Sequence, residues 1–218
     1  MTRSEENYLK AIYHLSGMEE NAVATNEIAK KIETKPSSVT DMIKKLSEKG
    51  LVAYTKYKGV SLSKKGSQMA LSVIRKHRLW ESFLVDKLDF MWDEVHEIAE
   101  QLEHIKSEKL IDRLDAFLGF PKQDPHGDPI PSKNGEMQKE HKKLLADVPI
   151  ATKGICVGVK NSSAPFLRFM DKNSMALGDT ITVLEKEEFD GSFHIQIRNN
   201  QFRISNEIAA NLYIQPNE

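Results

Sequence analysis

The feature that most constrains this chain is a change of hydrophobic period along its length. Up to about residue 146 the apolar positions recur at helical spacing, interrupted by one pair of short β-like runs. From Ile155 onward they fall into short alternating runs. A chain of this kind is mainly α with a β C-terminal domain.

The helical part begins with residues 4–16, where Tyr8, Leu9, Ile12, Tyr13 and Leu15 are apolar. A short helix is expected over 26–33, with Ile28, Ala29 and Ile32. Another begins at Pro36, a residue suited to a first helical turn because its missing N–H has no partner there. Val39, Ile43 and Leu46 form its stripe, and Gly50 stands where a helix end favours glycine. The runs Leu51–Tyr54 and Val60–Ser63 follow, joined through Thr55–Gly59. Three helices and a β-hairpin make a winged helix-turn-helix. Ser63 is placed to cap a long helix to about Lys87, and a second long helix is expected from Asp93 to Leu118. Residues 120–135 read as a Pro/Gly-rich linker or ordered loop, and 136–146 as a short helix. The later runs, Ile155–Val159, Thr180–Leu184, Phe193–Arg198, Gln201–Ser205 and Leu212–Ile214, imply a small β-barrel. The expected domains are a winged helix-turn-helix over 1–72, a helical domain over 73–149 and the small barrel over 150–218.

The net charge of −1 conceals an uneven distribution. Residues 1–72 carry +4, residues 73–149 carry −4 and residues 150–218 carry −1. A basic first third suggests a polyanionic partner, and an acidic middle suits a cation. The single cysteine, Cys156, excludes an intramolecular disulfide and a cysteine-based metal cluster. No run reaches membrane-spanning length, so no membrane partner is expected. The opening MTRSEENYLKAIYHL lacks the apolar core of an export signal, from which a cytoplasmic location is expected.

Double-stranded DNA is the expected polyanion. The second helix of a helix-turn-helix presents its N-terminal residues to base edges. Here that end carries Lys35, Ser37, Ser38 and Thr40, whose small hydroxyls allow close approach. Lys44 and Lys49 follow on the same helix, and Lys56, Tyr57 and Lys58 lie in the wing. Each lysine alone reads as a solvated charge; their concentration in two elements flanking one duplex is the stronger argument. Residues 4–72 contain no arginine, so a bidentate guanine contact is not expected from this domain.

The acidic middle holds His96, Glu100, Glu103 and His104, which share one face of a continuous helix, and His77 with Glu81 one turn apart. Imidazole and carboxylate at this spacing suit a hard or borderline divalent metal. The competing reading is the polar side of an amphipathic helix whose apolar side is Ile98, Leu102 and Ile105. On that geometry Glu103 and His104 lie away from the apolar stripe, so their replacement should leave the fold intact. A metal-dependent hydrolase would need a nucleophile or base beside the ligands and a substrate cleft. No such constellation accompanies the stripe, and the basic head would be unexplained.

Several stretches together resemble the diphtheria toxin repressor family of metal-dependent transcriptional regulators. Pro36-Ser37-Ser38-Val39-Thr40 resembles the recognition helix of its manganese transport regulator branch, and Lys56-Tyr57-Lys58-Gly59 the wing. Arg75-Lys76-His77-Arg78-Leu79-Trp80-Glu81 resembles a metal-binding helix motif. Val95–His104, followed by Pro125-His126-Gly127-Asp128-Pro129-Ile130-Pro131, resembles the dimerisation domain and its following loop. The resemblance implies a homodimer on a palindromic operator, activated by metal. It assigns Glu100, Glu103 and His104 to a primary site and His77, Glu81 and His96 to an ancillary one. Glu100 stands where iron-responsive members have cysteine, which favours manganese(II), with iron(II) as the alternative. Asn7 stands at a first-helix position that is usually a Met or Asp ligand. Lys10 replaces a glutamate that holds a second manganese, so a binuclear site is not implied. Ser162 and Pro165 fall near positions where some members draw ligands from the barrel. Asp124, where some relatives have cysteine, is placed with His126 to join the ancillary site.

Overall fold

The structure is a computed structural model that describes residues 1–17, 21–55, 58–137 and 141–217. The wing residues Lys56 and Tyr57 lie outside the described residues. By its internal contacts the chain divides into two compact units. One comprises Met1–Trp80, Ala99–Leu114 and Ile130–Met137; the other comprises Glu81–Ile98, Asp115–Pro129 and Gln138–Glu218.

In the first unit, helix α1 (Arg3–Ser16) starts at a reciprocal cap. The Thr2 hydroxyl accepts from the Glu5 amide, and the Glu5 carboxylate accepts from the Thr2 amide. Tyr8, Leu9 and Ile12 are buried on one side of this helix. Helices α2 (Thr25–Lys31) and α3 (Pro36–Glu48) follow, and Pro36 sits in the first turn of α3. Val39, Ile43 and Leu46 of α3 pack with Leu9, Ile12 and Ile28 in one core. The hairpin of β1 (Val52–Thr55) and β2 (Gly59–Leu62) pairs Val52 with Leu62 and Thr55 with Gly59. Val23 bridges Val60 on the far edge of β2. Gly59 has φ +100°, and a Cβ there would stand 2.7 Å from the Val23 carbonyl oxygen, so a side chain would break this junction. These elements form the expected winged helix-turn-helix.

Helix α4 (Lys64–Leu88) begins at Ser63, whose hydroxyl accepts from the Gly66 amide at 3.0 Å, as the sequence predicts. The second long helix is not continuous. It divides into α5 (Val95–Leu102) and α6 (Glu108–Phe117). Glu103 closes α5 through its amide to the Ala99 carbonyl, and the Ser107 hydroxyl accepts from the Leu110 amide to start α6. Glu103 and His104 therefore occupy the turn between helices.

In the second unit, a six-stranded antiparallel sheet has the order β3-β8-β4-β5-β6-β7. The strands are β3 (Lys143–Leu144), β4 (Lys153–Val159), β5 (Thr180–Lys186), β6 (Phe193–Ile197), β7 (Asn200–Ile204) and β8 (Leu212–Pro216). Strands β4 to β8 match the sequence expectation closely. The sheet is open, with β3 and β7 at its edges, so the small β domain expected from sequence is present but is not the closed barrel expected. Ile181 and Val183 alternate inward on β5, as do Phe193, Ile195 and Ile197 on β6. Leu167 and Met170 of helix α7 (Ala164–Lys172) complete this core. A four-residue helix α8 (Asn206–Ala209) precedes β8. The helix expected over 136–146 is absent from its described part, where Lys143–Leu144 pairs with β8 and Leu145–Asp147 forms a 3-10 turn. Pairing with a distant strand overrides the local pattern.

Candidate metal centre and DNA-reading surface

Three elements of the first unit bring a set of polar side chains together around Glu103. Helix α1 supplies Glu6, Asn7 and Lys10, which share a face at spacings of one, three and four. Helix α4 supplies His77. The end of α5 and its turn supply Glu100, Glu103 and His104. Glu103 is fully buried, because the inward stripe of α5 is Val95, Ala99 and Glu103 rather than Ile98, Leu102 and Ile105, which are only half-buried. This corrects the expectation that Glu103 points away from the packed side.

The two oxygens of Glu103 have different surroundings. Oε2 lies 2.6 Å from the Lys10 ammonium and 2.7 Å from His77 Nδ1. Lys10 Nζ also lies 2.8 Å from Glu100 Oε1 and 3.3 Å from His77 Nδ1. Oε1 lies 3.7 Å from His104 Nε2, and neither atom has a hydrogen-bond partner among the described residues. The buried Oδ1 of Asn7 is likewise without one. On its other side the His104 ring meets Glu6, with Nδ1 2.5 Å from Oε2. That contact places a ring proton on Nδ1, so in the neutral imidazole the lone pair is on Nε2, the atom a metal would take.

Three buried acceptors without donors are costly, at about 1–3 kcal/mol each. A cation satisfies them. The set of carboxylate oxygen, amide oxygen and imidazole nitrogen, without sulfur, fits manganese(II) or iron(II). Glu103 and His104 are thus brought together, with Glu100 and His77 on the Lys10 side, and Asn7 stands on α1 between Glu6 and Lys10, which contact them. Sequence reasoning missed Glu6; its signal was its place one turn before Lys10 on the face that carries Asn7.

A second group lies in the second unit. Glu81, Asp124 and His126 are all buried, with one potential ligand atom from each inside a 4.8 Å group. His96 Nδ1 lies 3.3 Å from Glu81 Oε1, but the His96 side chain is 49% exposed. The loop that carries Asp124 and His126 is fixed by its backbone. Asp124 Oδ1 accepts from the amides of His126 and Asp128, and the Val159 amide donates to the His126 carbonyl. Gly127 has φ +82°, and a Cβ there would lie 2.1 Å from the Val157 carbonyl oxygen, so this close packing on β4 requires glycine. His126 Nε2–H donates to the Trp92 carbonyl at 2.8 Å, and the two rings stack. His126 Nδ1 lies 3.7 Å from Glu81 Oε2. Burial disfavours the charged imidazole, but the Glu81 and Asp124 carboxylates and the Trp92 carbonyl outweigh it. The His126 pKa rises to about 9. Of the ancillary set expected from sequence, Glu81 and His96 are joined here with Asp124 and His126 beside them, and His77 stands one turn before Glu81 on α4.

On α3, Lys35, Ser37, Ser38 and Lys44 are exposed and Thr40 is half-buried. No side chain caps the helix start, which leaves its first amides open to other acceptors. Lys58 is exposed at the base of the wing. Lys49 differs from the other lysines. Its ammonium lies 2.7 Å from Oε1 of the buried Glu5, tying α3 to α1 and holding the Glu5 carboxyl below the usual carboxylate range.

Comparison with known proteins agrees with these features. Residues 1–60 match the N-terminal DNA-binding domain of iron-dependent repressors, and residues 63–132 match their metal binding and dimerisation domain. Residues 143–216 match the FeoA domain. The chain is 38% identical over 128 residues to the iron-dependent repressor IdeR of Mycobacterium leprae; the match covers 58% of this chain and 54% of that one, about half the relative's length. A manganese-dependent transcriptional repressor in complex with manganese superposes with a TM-score of 0.89 at 32% identity, over 97% of this chain and 99% of the other. The manganese regulator SloR superposes with a TM-score of 0.79 at 36% identity, over the whole of both chains. The chain belongs to the iron-dependent repressor family, that of the diphtheria toxin repressor.

Proposed function

We propose that this protein is a metal-activated transcriptional repressor that binds a palindromic DNA operator as a homodimer, with manganese(II) as the corepressor. Residues 1–72 read DNA, 73–149 bind metal and dimerise, and 150–218 form the appended β domain. The observation that carries the reading is the set of orphaned acceptors on Asn7, Glu103 and His104. They belong to both α1 of the reading head and the turn after α5. A divalent ion held there, with Glu100 beside it, supplies the positive charge that those acceptors lack. Glu6 fixes the His104 ring, and Asn7 carries the link into the reading head. If the cross-linked arrangement is the DNA-competent one, DNA in turn tightens metal binding by the same factor.

Ser37, Ser38 and Thr40 are placed for base edges, and Lys35, Lys44 and Lys58 for phosphates. Lys49 reaches a phosphate only by leaving Glu5. Within the second unit, exposed Leu88, Met91, Phe117 and Phe120 supply apolar surface for self-association. No helix among the described residues is long and apolar enough to cross a membrane, and a cytoplasmic site of action accords with a DNA target. The donor set accepts iron(II) as well, so iron is the second reading.

The test is duplex binding at fixed salt. The probe is a duplex selected from a randomised pool by the protein in manganese(II). Binding should require manganese or iron(II) and disappear in chelator. Equal affinity in chelator and in metal would remove the switch. Lys58→Ala should lower the salt slope by roughly 0.9, one phosphate contact, for all sequences alike.

A further inference from the structure

Lys10 places a cation among the donors around Glu103. One oxygen or nitrogen from each of His77, Glu100 and Glu103 falls within a group 4.8 Å across. Such a group can hold a metal ion, yet the Lys10 ammonium already touches all three donors, at 3.3, 2.8 and 2.6 Å. An ammonium has three N–H donors and no acceptor, so these contacts use its full capacity. The Lys10 side chain is 12% exposed, so little water competes for it. Glu103 therefore presents one oxygen to a cation belonging to the chain and the other to empty acceptors.

We propose that Lys10 is a resident cation of this metal centre, which fills the Oε2 side of Glu103, limits the centre to one exchangeable divalent ion on the Oε1 side, and sets the metal concentration at which that ion binds. The proposal rests on the metal reading of the same site. Its physical basis is charge. The ammonium offsets one negative charge of Glu100 and Glu103 and stands beside any ion held by Glu103 Oε1. Repulsion between two cations in a poorly solvated site weakens the exchangeable one. Lys10 also makes the metal-free state tolerable, because it neutralises carboxylates that would otherwise repel each other. A salt bridge with only a scaffolding role would do the second of these and not the first.

The experiment is a calorimetric titration of the full-length, chelator-stripped protein with manganese(II), paired with thermal unfolding in chelator. The binding phase of interest is the one that Glu103→Gln removes. Native protein should lose one ion per protomer on that substitution. Lys10→Met should tighten this phase about tenfold or more while lowering the unfolding temperature in chelator. Lys10→Gln, polar and better tolerated if Lys10→Met does not fold, should shift it in the same direction. Lys10→Arg, which keeps the charge, should stay within about threefold of native. Unchanged or weaker binding in the neutral variants overturns the proposal, as does a loss of two ions per protomer between native and Glu103→Gln. Absence of any Glu103-dependent phase in native protein would instead overturn the metal reading itself.

Discussion

The Glu103 cluster of the first unit and the Glu81 cluster of the second use the same residue types to different effect. In the first, Glu6 accepts a hydrogen bond from His104 Nδ1, and Nε2 faces a carboxylate oxygen across 3.7 Å with no hydrogen bond between them. In the second, the Trp92 carbonyl accepts a hydrogen bond from His126 Nε2–H, and Nδ1 faces Glu81 across the same 3.7 Å. There the pKa of about 9 keeps a second proton on the ring at neutral pH. The first cluster leaves buried polar atoms without partners; the second holds its imidazole in an ion pair. Residue identity makes both candidates for metal. Which partner takes the ring proton decides whether a metal fills a gap or must displace a proton.

The largest effect expected from this contrast is that of Glu103→Gln. It should weaken manganese binding at the first cluster by a hundredfold or more and leave the second cluster unchanged. It also deprives the buried Lys10 ammonium of a carboxylate, and breaking a buried pair costs about 3–5 kcal/mol. Calorimetric titration and denaturant unfolding in chelator read the two effects separately. A change in first-cluster affinity below tenfold would show that the orphaned oxygen is not a ligand.

Glu6→Gln is the next largest. Glutamine keeps the shape but not the charge that fixes the His104 ring, and loss of such an outer partner typically costs ten- to a hundredfold in metal affinity. The titration should show that loss with little change in unfolding. If Glu6→Gln bound manganese as the native protein does, the His104 tautomer would not depend on Glu6, and the contrast with His126 would fail.

The second cluster should respond to pH. Its folded pKa of about 9 lies above the ordinary histidine value of 6.5. The stability gained from the His126–Glu81 pair is therefore complete below about pH 6.5 and is lost as pH rises through about 9. Metal affinity runs the other way, because the metal displaces the proton. It should rise roughly tenfold per pH unit from about 7 up to 9. His126→Gln should abolish both slopes, and a flat metal affinity in the native protein over that range would mean that His126 is not a ligand.

How legible these clusters were in the sequence depends on how local their causes are. The Glu103–His104 pair and the α3 stripe of Val39, Ile43 and Leu46 declare themselves by residue type and period. So do strands β5 and β6, whose inward residues alternate. The break after α5 does not, because Ile98, Leu102 and Ile105 carry the helical period up to it; Ser107 was its local mark. With the break missed, the burial of Glu103 could not be foreseen. Helix α7 was invisible among β-like runs, although Ser163 and Pro165 suit a helix start. The tautomers of His104 and His126 depend on Glu6 and Trp92, each more than thirty residues away in sequence. No local pattern encodes a proton held at that range.

The smallest effect is the most diagnostic of geometry. Asn7 lies on α1 next to Glu6, which contacts His104, and its buried amide oxygen has no donor among the described residues. Asn7→Asp adds a negative charge at nearly constant shape. If Oδ1 is a ligand, manganese binding at the first cluster should tighten several-fold, held below the full gain of a carboxylate because Lys10 remains on the same helix face. The metal-free protein should lose stability, since the introduced carboxylate would then stand near Glu103 without a cation between them. Asn7→Ala should weaken binding by a similar factor and relieve one orphaned acceptor, so its metal-free form should be no less stable than native. The two substitutions therefore move affinity in opposite directions while neither destabilises through packing. Equal affinity in both variants would remove Asn7 from the ligand set, leaving the link between α1 and the α5 turn to Glu6 and Lys10, which bind protein groups rather than metal.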